Sequence, residues 1–250
     1  MEIYLPLIFF LIALIYSSVG FGGGSSYLAV LSLILNDIYL IRSSALILNL
    51  CVVGLATISH WRNKTFDFSS FWPFVILSFP TAFIAAQWKL SSKSFFIILG
   101  SALVLAAISM FFKYLNPDSS KKKIPKSLKT LFGAGVGFLS GLSGIGGGIY
   151  LSPLLHLFSW ENSKKIASLA SFFILVNSTA GIAGLIFASN FKFDSSISLH
   201  LILAVLIGGG LGNYLGNQKV NNKILALLTA LLVLYAGSKL LLWHIFTLRI

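Results

Sequence analysis

The sequence GFGGG at residues 20–24 returns as GIGGG at residues 144–148, and the organisation of the chain follows from this pair. Each motif lies in a long apolar run without Asp, Glu, Lys or Arg, from Ile3 to Asn36 and from Thr130 to Trp160. As one helix the first run would be roughly 50 Å long, which exceeds the ~30 Å hydrocarbon core of a bilayer. Adjacent glycines destabilise a helix interior and allow left-handed backbone. We therefore predict that each run is a helix, a glycine-rich turn and a second helical piece.

The whole chain has the composition of an integral membrane protein. Of its 250 residues, 57% are hydrophobic and 10% are charged, whereas soluble domains have roughly 25% charged residues. A soluble enzyme of this size cannot bury so much apolar surface. Lys and Arg outnumber Asp and Glu by 18 to 6, but the cations lie in short loops between apolar runs, which argues against a nucleic-acid-binding face. The single cysteine, Cys51, excludes intrachain disulfides and cysteine metal sites, and no cofactor or metal is expected.

Charge-free runs divide the chain into segments long enough to cross a bilayer as helices. Only helices and closed β-barrels satisfy their backbone hydrogen bonds inside lipid. The alternation of apolar and polar residues that is typical of barrel strands is missing here, which leaves helices. We therefore predict an all-α integral membrane protein with about eight transmembrane helices in two four-helix halves. The first helix of each half is expected to be broken at its glycines. If every run crosses once, the positive-inside rule places both termini and the polar linker in the cytoplasm.

An internal duplication relates the two halves beyond the glycines. Asp67 and Asp194 each follow an aromatic residue, and Gly54 corresponds to Gly181. Repeats of this kind are common in secondary transporters, where the substrate site lies between the halves. The predicted parts are a first membrane repeat, a polar cytoplasmic linker and a second membrane repeat, over residues 1–112, 113–129 and 130–250.

The glycine motifs are candidates for an anion site because their peptide N–H groups are not shielded by side chains. The N-terminus of a following helix strengthens such a site. Polar residues in the second span of each half could border it. Close helix packing at the glycines and interhelical hydrogen bonds from the polar residues are the structural alternatives. The candidate substrate-binding residues are Gly20, Gly22, Gly23, Gly24, Ser25, Asn49, Gly144, Gly146, Gly147, Gly148 and Asn177.

Three basic residues, Arg42, Lys164 and Lys165, flank the second span of each half. They could attract anions to a vestibule at the membrane surface. Orientation of the loops by positive charge explains them equally well.

Taken together, these features resemble the sulfite exporter TauE/SafE family of bacterial membrane permeases over nearly the whole chain. The family pattern usually has a proline a few residues after the first glycine motif, where this chain has Ala29. The resemblance implies transport of sulfite, sulfonates or related sulfur-containing or organic anions across the bacterial inner membrane. The resemblance rests on the two glycine motifs, on Ser152-Pro153-Leu154 after the second motif, and on the pairs Phe66-Asp67 and Phe193-Asp194.

The leading interpretation is therefore a permease whose partners are a small anionic substrate and membrane lipid, with no nucleic acid. An enzyme is not expected, because zinc-protease spacing, a nucleophile-elbow serine and paired intramembrane aspartates are all missing from the sequence. An anion channel, or a membrane subunit that acts only with a partner, remains the alternative. Assembly into a homo-oligomer is left open by the sequence.

Overall fold

The computed structural model describes residues 4–18, 20–89, 91–115, 124–217 and parts of 230–242. This part of the chain is helical, and four of its helical segments are long and apolar enough to cross a membrane. The prediction of an all-α membrane protein is confirmed, while the number of eight spanning helices stays a prediction. The helices are α1 (Tyr4–Ser18), α2 (Gly24–Ser32), α3 (Ile38–Arg62), α4 (Phe68–Val75), α5 (Ser78–Ala86), α6 (Ser92–Leu115), α7 (Lys126–Ser143), α8 (Gly148–Leu157), α9 (Ser163–Phe187) and α10 (Ser195–Asn217).

Both glycine motifs interrupt their helices, as predicted. The first separates α1 from α2 and the second separates α7 from α8. Gly23 and Gly147 occupy the same place in the two motifs and have φ angles of 89° and 85°. L-residues with a side chain rarely adopt this left-handed conformation, so glycine is needed where each short helix begins.

Two ion pairs between the halves identify which helix ends share a face of the bundle. The Nζ of Lys192, after α9, donates to the carboxylate of Asp37, before α3. The Nζ of Lys165, at the start of α9, lies 2.8 Å from the carboxylate of Asp67, before α4. Because α3 has 25 residues and is therefore about 37 Å long, the two pairs lie on opposite faces. We call these the Asp37 face and the Asp67 face.

The first broken run is a helical hairpin that begins and ends at the Asp37 face. Its outbound helix α1 runs parallel to α10, which starts beside Lys192. Gly20, at the tip, packs against Ala167 near the Asp67 face. The return helix α2 lies antiparallel to α1, because Tyr27 stacks on Phe9 with ring centroids 5.1 Å apart. Three glycines of α10 approach backbone carbonyls of α1 closely: Gly208 at Phe10, Gly212 at Leu14 and Gly216 at Ser18.

The second broken run is a hairpin that enters from the Asp67 face. Its outbound helix α7 runs parallel to α4 and α5, and Gly144, just past its end, reaches Arg42 near the Asp37 face. The return helix α8 leads to Trp160, whose ring packs on Phe71 and Phe74 near the Asp67 face. Three glycines of α7 approach backbone carbonyls closely: Gly133 at Phe74, Gly137 at Ser78 and Gly141 at Ala82. One hairpin enters from each face, so the two halves have opposite orientations, as in inverted repeats.

This arrangement corrects the assumption that every apolar run crosses once. Tyr4 lies toward the Asp37 face, and Lys126, at the described end of the predicted linker, lies toward the Asp67 face, so these two residues are on opposite sides. At most one of them can be cytoplasmic, and which one stays a prediction. Residues 116–123 of the linker lie outside the described residues, and α6 and α7 extend into both ends of the range 113–129.

Candidate functional site

Asn49, near the middle of α3, joins the two glycine turns. Its Oδ1 accepts a hydrogen bond from the amide of Gly24 at 3.1 Å, and its Nδ2 donates to the carbonyl of Ile145 at 2.8 Å. The side chain is 1% exposed. An asparagine amide supplies both an acceptor and donors, so one side chain satisfies a peptide group of each motif. Two motifs from opposite halves therefore meet in the interior of the bundle.

A small cavity lies where the turns meet. Its volume is about 10 Å³, which is close to the space of one water molecule. This volume does not hold a solute of several atoms. The cavity is lined by Phe21, Gly22, Gly23 and Gly24 of the first motif, by Ser25 after it, by Ile145 of the second motif, and by Tyr16, Asn49, Ile149 and Ile174.

Several peptide N–H groups of the turns are free to bind a ligand. Within the described chain, the amides of Gly22, Gly23, Gly146 and Gly147 have no hydrogen-bond acceptor. Helices α2 and α8 begin directly after these residues, so their N-terminal ends, which carry positive partial charge, point into the same region. This combination favours a negatively charged ligand.

The second turn is also bordered by buried hydroxyl groups. A Cβ placed on Gly146 would lie 2.8 Å from Ser178 Oγ, and one placed on Gly147 would lie 3.1 Å from Ser140 Cβ. Both hydroxyls are buried, and neither has a hydrogen-bond partner in the described part of the chain. Buried polar groups without partners are uncommon and call for an explanation. A ligand or water held at the second turn would supply the partner.

Arg42 is buried rather than placed at a surface vestibule. Its side chain is 1% exposed, and Nη2 donates to the carbonyls of Ala86 at 3.2 Å and Gly141 at 2.7 Å. A Cβ on Gly144 would lie 3.2 Å from Arg42 Cγ, so the second turn touches the arginine directly. The sequence could not indicate this burial, because the contacts come from α5 and α7, which are distant along the chain.

Asn177 does not border the cavity between the turns. Its Nδ2 donates to Ser78 Oγ at 3.2 Å and to the carbonyl of Phe173 at 2.8 Å. The position in α9 that corresponds to Asn49 is Ile174, which contacts Gly146 and Gly148. Of the predicted site residues, Gly22, Gly23, Gly24, Ser25 and Asn49 line the cavity, and Gly146 and Gly148 contact its walls at Asn49 and Ile174. Gly20, Gly144, Gly147 and Asn177 make their contacts elsewhere.

The pKa values of the two aspartates that form ion pairs between the halves are lowered. Hydrogen bonds from Lys165 and Ser70 hold the pKa of Asp67 well below its usual range. The hydrogen bond from Lys192 likewise lowers the pKa of Asp37. Both carboxylates also accept backbone N–H bonds at the start of a helix, Asp37 from α3 and Asp67 from α4, so the same residues cap helices and connect the halves.

Comparison with known proteins identifies the family of the chain. The model of the sulfite exporter TauE/SafE family matches residues 5–240. The chain is 31% identical to the Probable membrane transporter protein y4hK of Sinorhizobium fredii, over 95% of this chain and 97% of the relative. It is 27% identical to the Probable membrane transporter protein YjnA of Bacillus subtilis, over 73% and 77% of the two chains. No solved structure matches significantly. The chain therefore belongs to the sulfite exporter TauE/SafE family and is a multi-pass membrane transporter rather than an enzyme.

Proposed function

We propose that this transporter carries small oxyanions of the sulfite and sulfonate class across the bacterial inner membrane. The anion would bind between the two glycine turns, around Asn49. The observation that carries the proposal is the meeting of both turns at this one buried side chain, with free peptide N–H groups on either side. The name of the family, which contains sulfite exporters, supports the substrate class.

The electrostatics of the bundle favour an anion over a cation. The acidic residues in the described part of the chain, Asp37, Asp67, Glu161 and Asp194, all lie outside the helices. The interior instead offers two helix N-termini and the buried guanidinium of Arg42. Cation carriers usually keep carboxylates within the membrane, whereas peptide N–H groups and positive charge stabilise anions.

The closed cavity supports a carrier over an open channel. A cavity of about 10 Å³ between the turns does not admit a hydrated anion. Two hairpins that enter from opposite faces can open the same site first to one side and then to the other. A channel or a partner-dependent subunit is the alternative that flux measurements must separate from this proposal.

The test is anion flux into liposomes containing the purified protein. Sulfite, thiosulfate, sulfate, methanesulfonate and acetate are offered in turn, to the wild type and to Gly147→Ala. We expect saturable, exchange-capable uptake of a sulfur oxyanion by the wild type and loss of uptake in Gly147→Ala. The reason is that a Cβ at Gly147 would meet Phe173 at 2.8 Å on a backbone with a φ of 85°.

The matched control is Gly135→Ala in α7, where a Cβ has nothing within 4 Å. It should transport like the wild type. Inert wild-type vesicles with every anion would contradict the proposal, and so would normal uptake by folded Gly147→Ala. Uptake that neither saturates nor exchanges would indicate a channel.

A further inference from the structure

We infer that Arg42 is the charged ligand of the transported anion, and this inference rests on the proposed function. The substrate class is then a small oxyanion that can accept hydrogen bonds through more than one oxygen. The inference follows from the burial of Arg42, from its missing counter-charge and from its place beside the second turn.

The charge of Arg42 is not neutralised within the described part of the chain. The guanidinium is effectively always protonated, and it is 1% exposed. The described ion pairs engage Asp37 and Asp67 with lysines, and Arg42 joins none of them. A buried charge without a partner is costly, and intramembrane charges usually mark a substrate or ion pathway.

Helix capping accounts for only some of the N–H groups of the Arg42 side chain. Nη2 serves the carbonyl of Ala86, the last residue of α5, and that of Gly141, in the last turn of α7. Such carbonyls have no partner within their own helix, and positive charge stabilises that end. Nε, however, has no acceptor in the described residues. One N–H of a buried guanidinium is thus available, and guanidinium groups bind oxyanions through several N–H groups at once.

Arg42 and Asn49 lie on the same face of α3, two turns and about 10 Å apart. The second glycine turn runs along this face. Gly144 contacts Arg42, the carbonyl of Ile145 binds Asn49, and Gly146 contacts Asn49 again. An anion that enters when this turn moves away from α3 would therefore meet Arg42 near the Asp37 face and the free amides of the turn farther in.

The experiment measures sulfite binding and sulfite flux separately. Arg42→Gln removes the charge and keeps an NH₂ group for the helix carbonyls. Arg42→Lys keeps the charge and loses the planar fork. Arg62→Gln, at the exposed end of the same helix, is the matched control. Thermal stabilisation of the detergent-purified protein by sulfite reports binding, and uptake into liposomes reports transport.

We expect Arg42→Gln to lose sulfite stabilisation and to lower uptake about a hundredfold or more, because a charge-assisted contact is lost in the interior. Arg42→Lys should raise the half-saturating sulfite concentration about tenfold. Arg62→Gln should stay within about twofold of the wild type, since exposed charges contribute little.

If sulfite stabilises Arg42→Gln as much as it stabilises the wild type, the inference is overturned even if uptake falls. Arg42 would then act on the movement of the protein and not on binding of the anion. If Arg42→Gln does not fold, an unchanged half-saturating concentration in Arg42→Lys would overturn it instead. A wild type that neither binds nor transports any anion of the panel would remove the proposed function together with this inference. An active wild type with an unaffected Arg42→Gln would remove the inference alone.

Discussion

The first glycine turn packs against Ala167 of α9, whereas the second packs against Arg42 at the corresponding place in α3. Farther along the same helices, Ile174 in α9 corresponds to Asn49 in α3. The backbone of the two hairpins is similar, with left-handed glycines before each short helix. The side chains that face them are not. The hairpin geometry is similar in both halves, while the charge and the bridging amide come from α3 alone.

A similar contrast holds for the outbound helices of the hairpins. At the first hairpin the glycines that permit close approach belong to the neighbouring helix α10, and α1 supplies the carbonyls. At the second hairpin α7 carries the glycines, and α4 and α5 supply the carbonyls. Small residues let membrane helices approach each other. What both halves require is therefore the close approach, irrespective of the helix that provides the glycines.

The largest effect is expected from Asn49→Leu, compared with Ile174→Leu at the corresponding position. Asn49→Leu leaves the amide of Gly24 and the carbonyl of Ile145 buried without partners, each at a cost of about 1–3 kcal/mol. It should abolish uptake and lower the melting temperature in detergent. Ile174→Leu conserves volume and should cost less than about 1.5 kcal/mol. Equal losses in both variants would show that the two positions are equivalent after all.

The hairpins mark the limit of what the sequence predicts about the fold. Length and three adjacent glycines were enough to predict that each first span is broken. They could not tell whether the chain then continues or returns, because both paths bury the same apolar residues. The ion pairs that define the two faces of the bundle join Asp37 to Lys192 and Asp67 to Lys165. Such pairing depends on how the halves dock, which no local pattern records.

The second largest effect should separate Gly20→Ala from Gly144→Ala. A Cβ at Gly20 would lie 3.0 Å from the Cα of Ala167, which is backbone and cannot yield, whereas one at Gly144 would meet the flexible side chain of Arg42 at 3.2 Å. Gly20→Ala should therefore lower folded yield and melting temperature more. Gly144→Ala should fold and raise the half-saturating sulfite concentration by displacing Arg42. A less stable Gly144→Ala would contradict the assignment of packing to the first turn.

Helical register explains why only one of the two predicted asparagines reaches the cavity. Both lie in the second span of their half, but by the offset between the starts of α3 and α9 Asn177 corresponds to Val52 and not to Asn49. The same offset pairs Gly181 with Ala56, which corrects the correspondence of Gly181 with Gly54 expected from the sequence. Val52 faces Gly209 of α10, and Asn177 faces Ser78, the first residue of α5. A shift of three residues moves the side chain about 4.5 Å along the helix axis and about 60° around it, which takes Asn177 from the glycine turn to Ser78. The repeated glycines alone could not fix this register, because α8 is one residue longer than α2 and shifts α9 by one position relative to its motif.

A smaller effect should distinguish the buried hydroxyls Ser178 and Ser171, which lie in the same helix. Ser178 Oγ lies beside Gly146 without a partner in the described chain, while Ser171 Oγ donates to the carbonyls of Gly20 and Ala167, each at 3.0 Å. Ser178→Ala should keep the melting temperature and raise the half-saturating sulfite concentration about threefold to tenfold. Ser171→Ala should lower stability by about 1 kcal/mol and leave sulfite affinity unchanged. The reverse pattern would place the ligand at the first turn.

The smallest effect concerns the ion pairs on the two faces. Both acids have a lowered pKa, so each pair stabilises the fold above the usual Asp pKa of about 3.9, and that stability is lost as the pH falls through the lower folded pKa. Lys165 is 25% exposed and also lies 3.8 Å from Glu161, whereas Lys192 is 53% exposed. Lys165→Gln should therefore lower the melting temperature more than Lys192→Gln. Each substitution should lower the free energy of unfolding by less than about 1 kcal/mol.

These differences should be constant from pH 8 to pH 5 and should shrink only below about pH 4, where Asp is protonated in the unfolded chain. Thermal unfolding in detergent across this range measures both the order and the pH dependence. If Lys192→Gln lowers the melting temperature more than Lys165→Gln does, the Asp37 face, next to Arg42, is held closed more firmly than the Asp67 face. Since Arg42 lies near the Asp37 face, an anion should reach it more readily from that side, which requires the pair at Asp37 to be the weaker one.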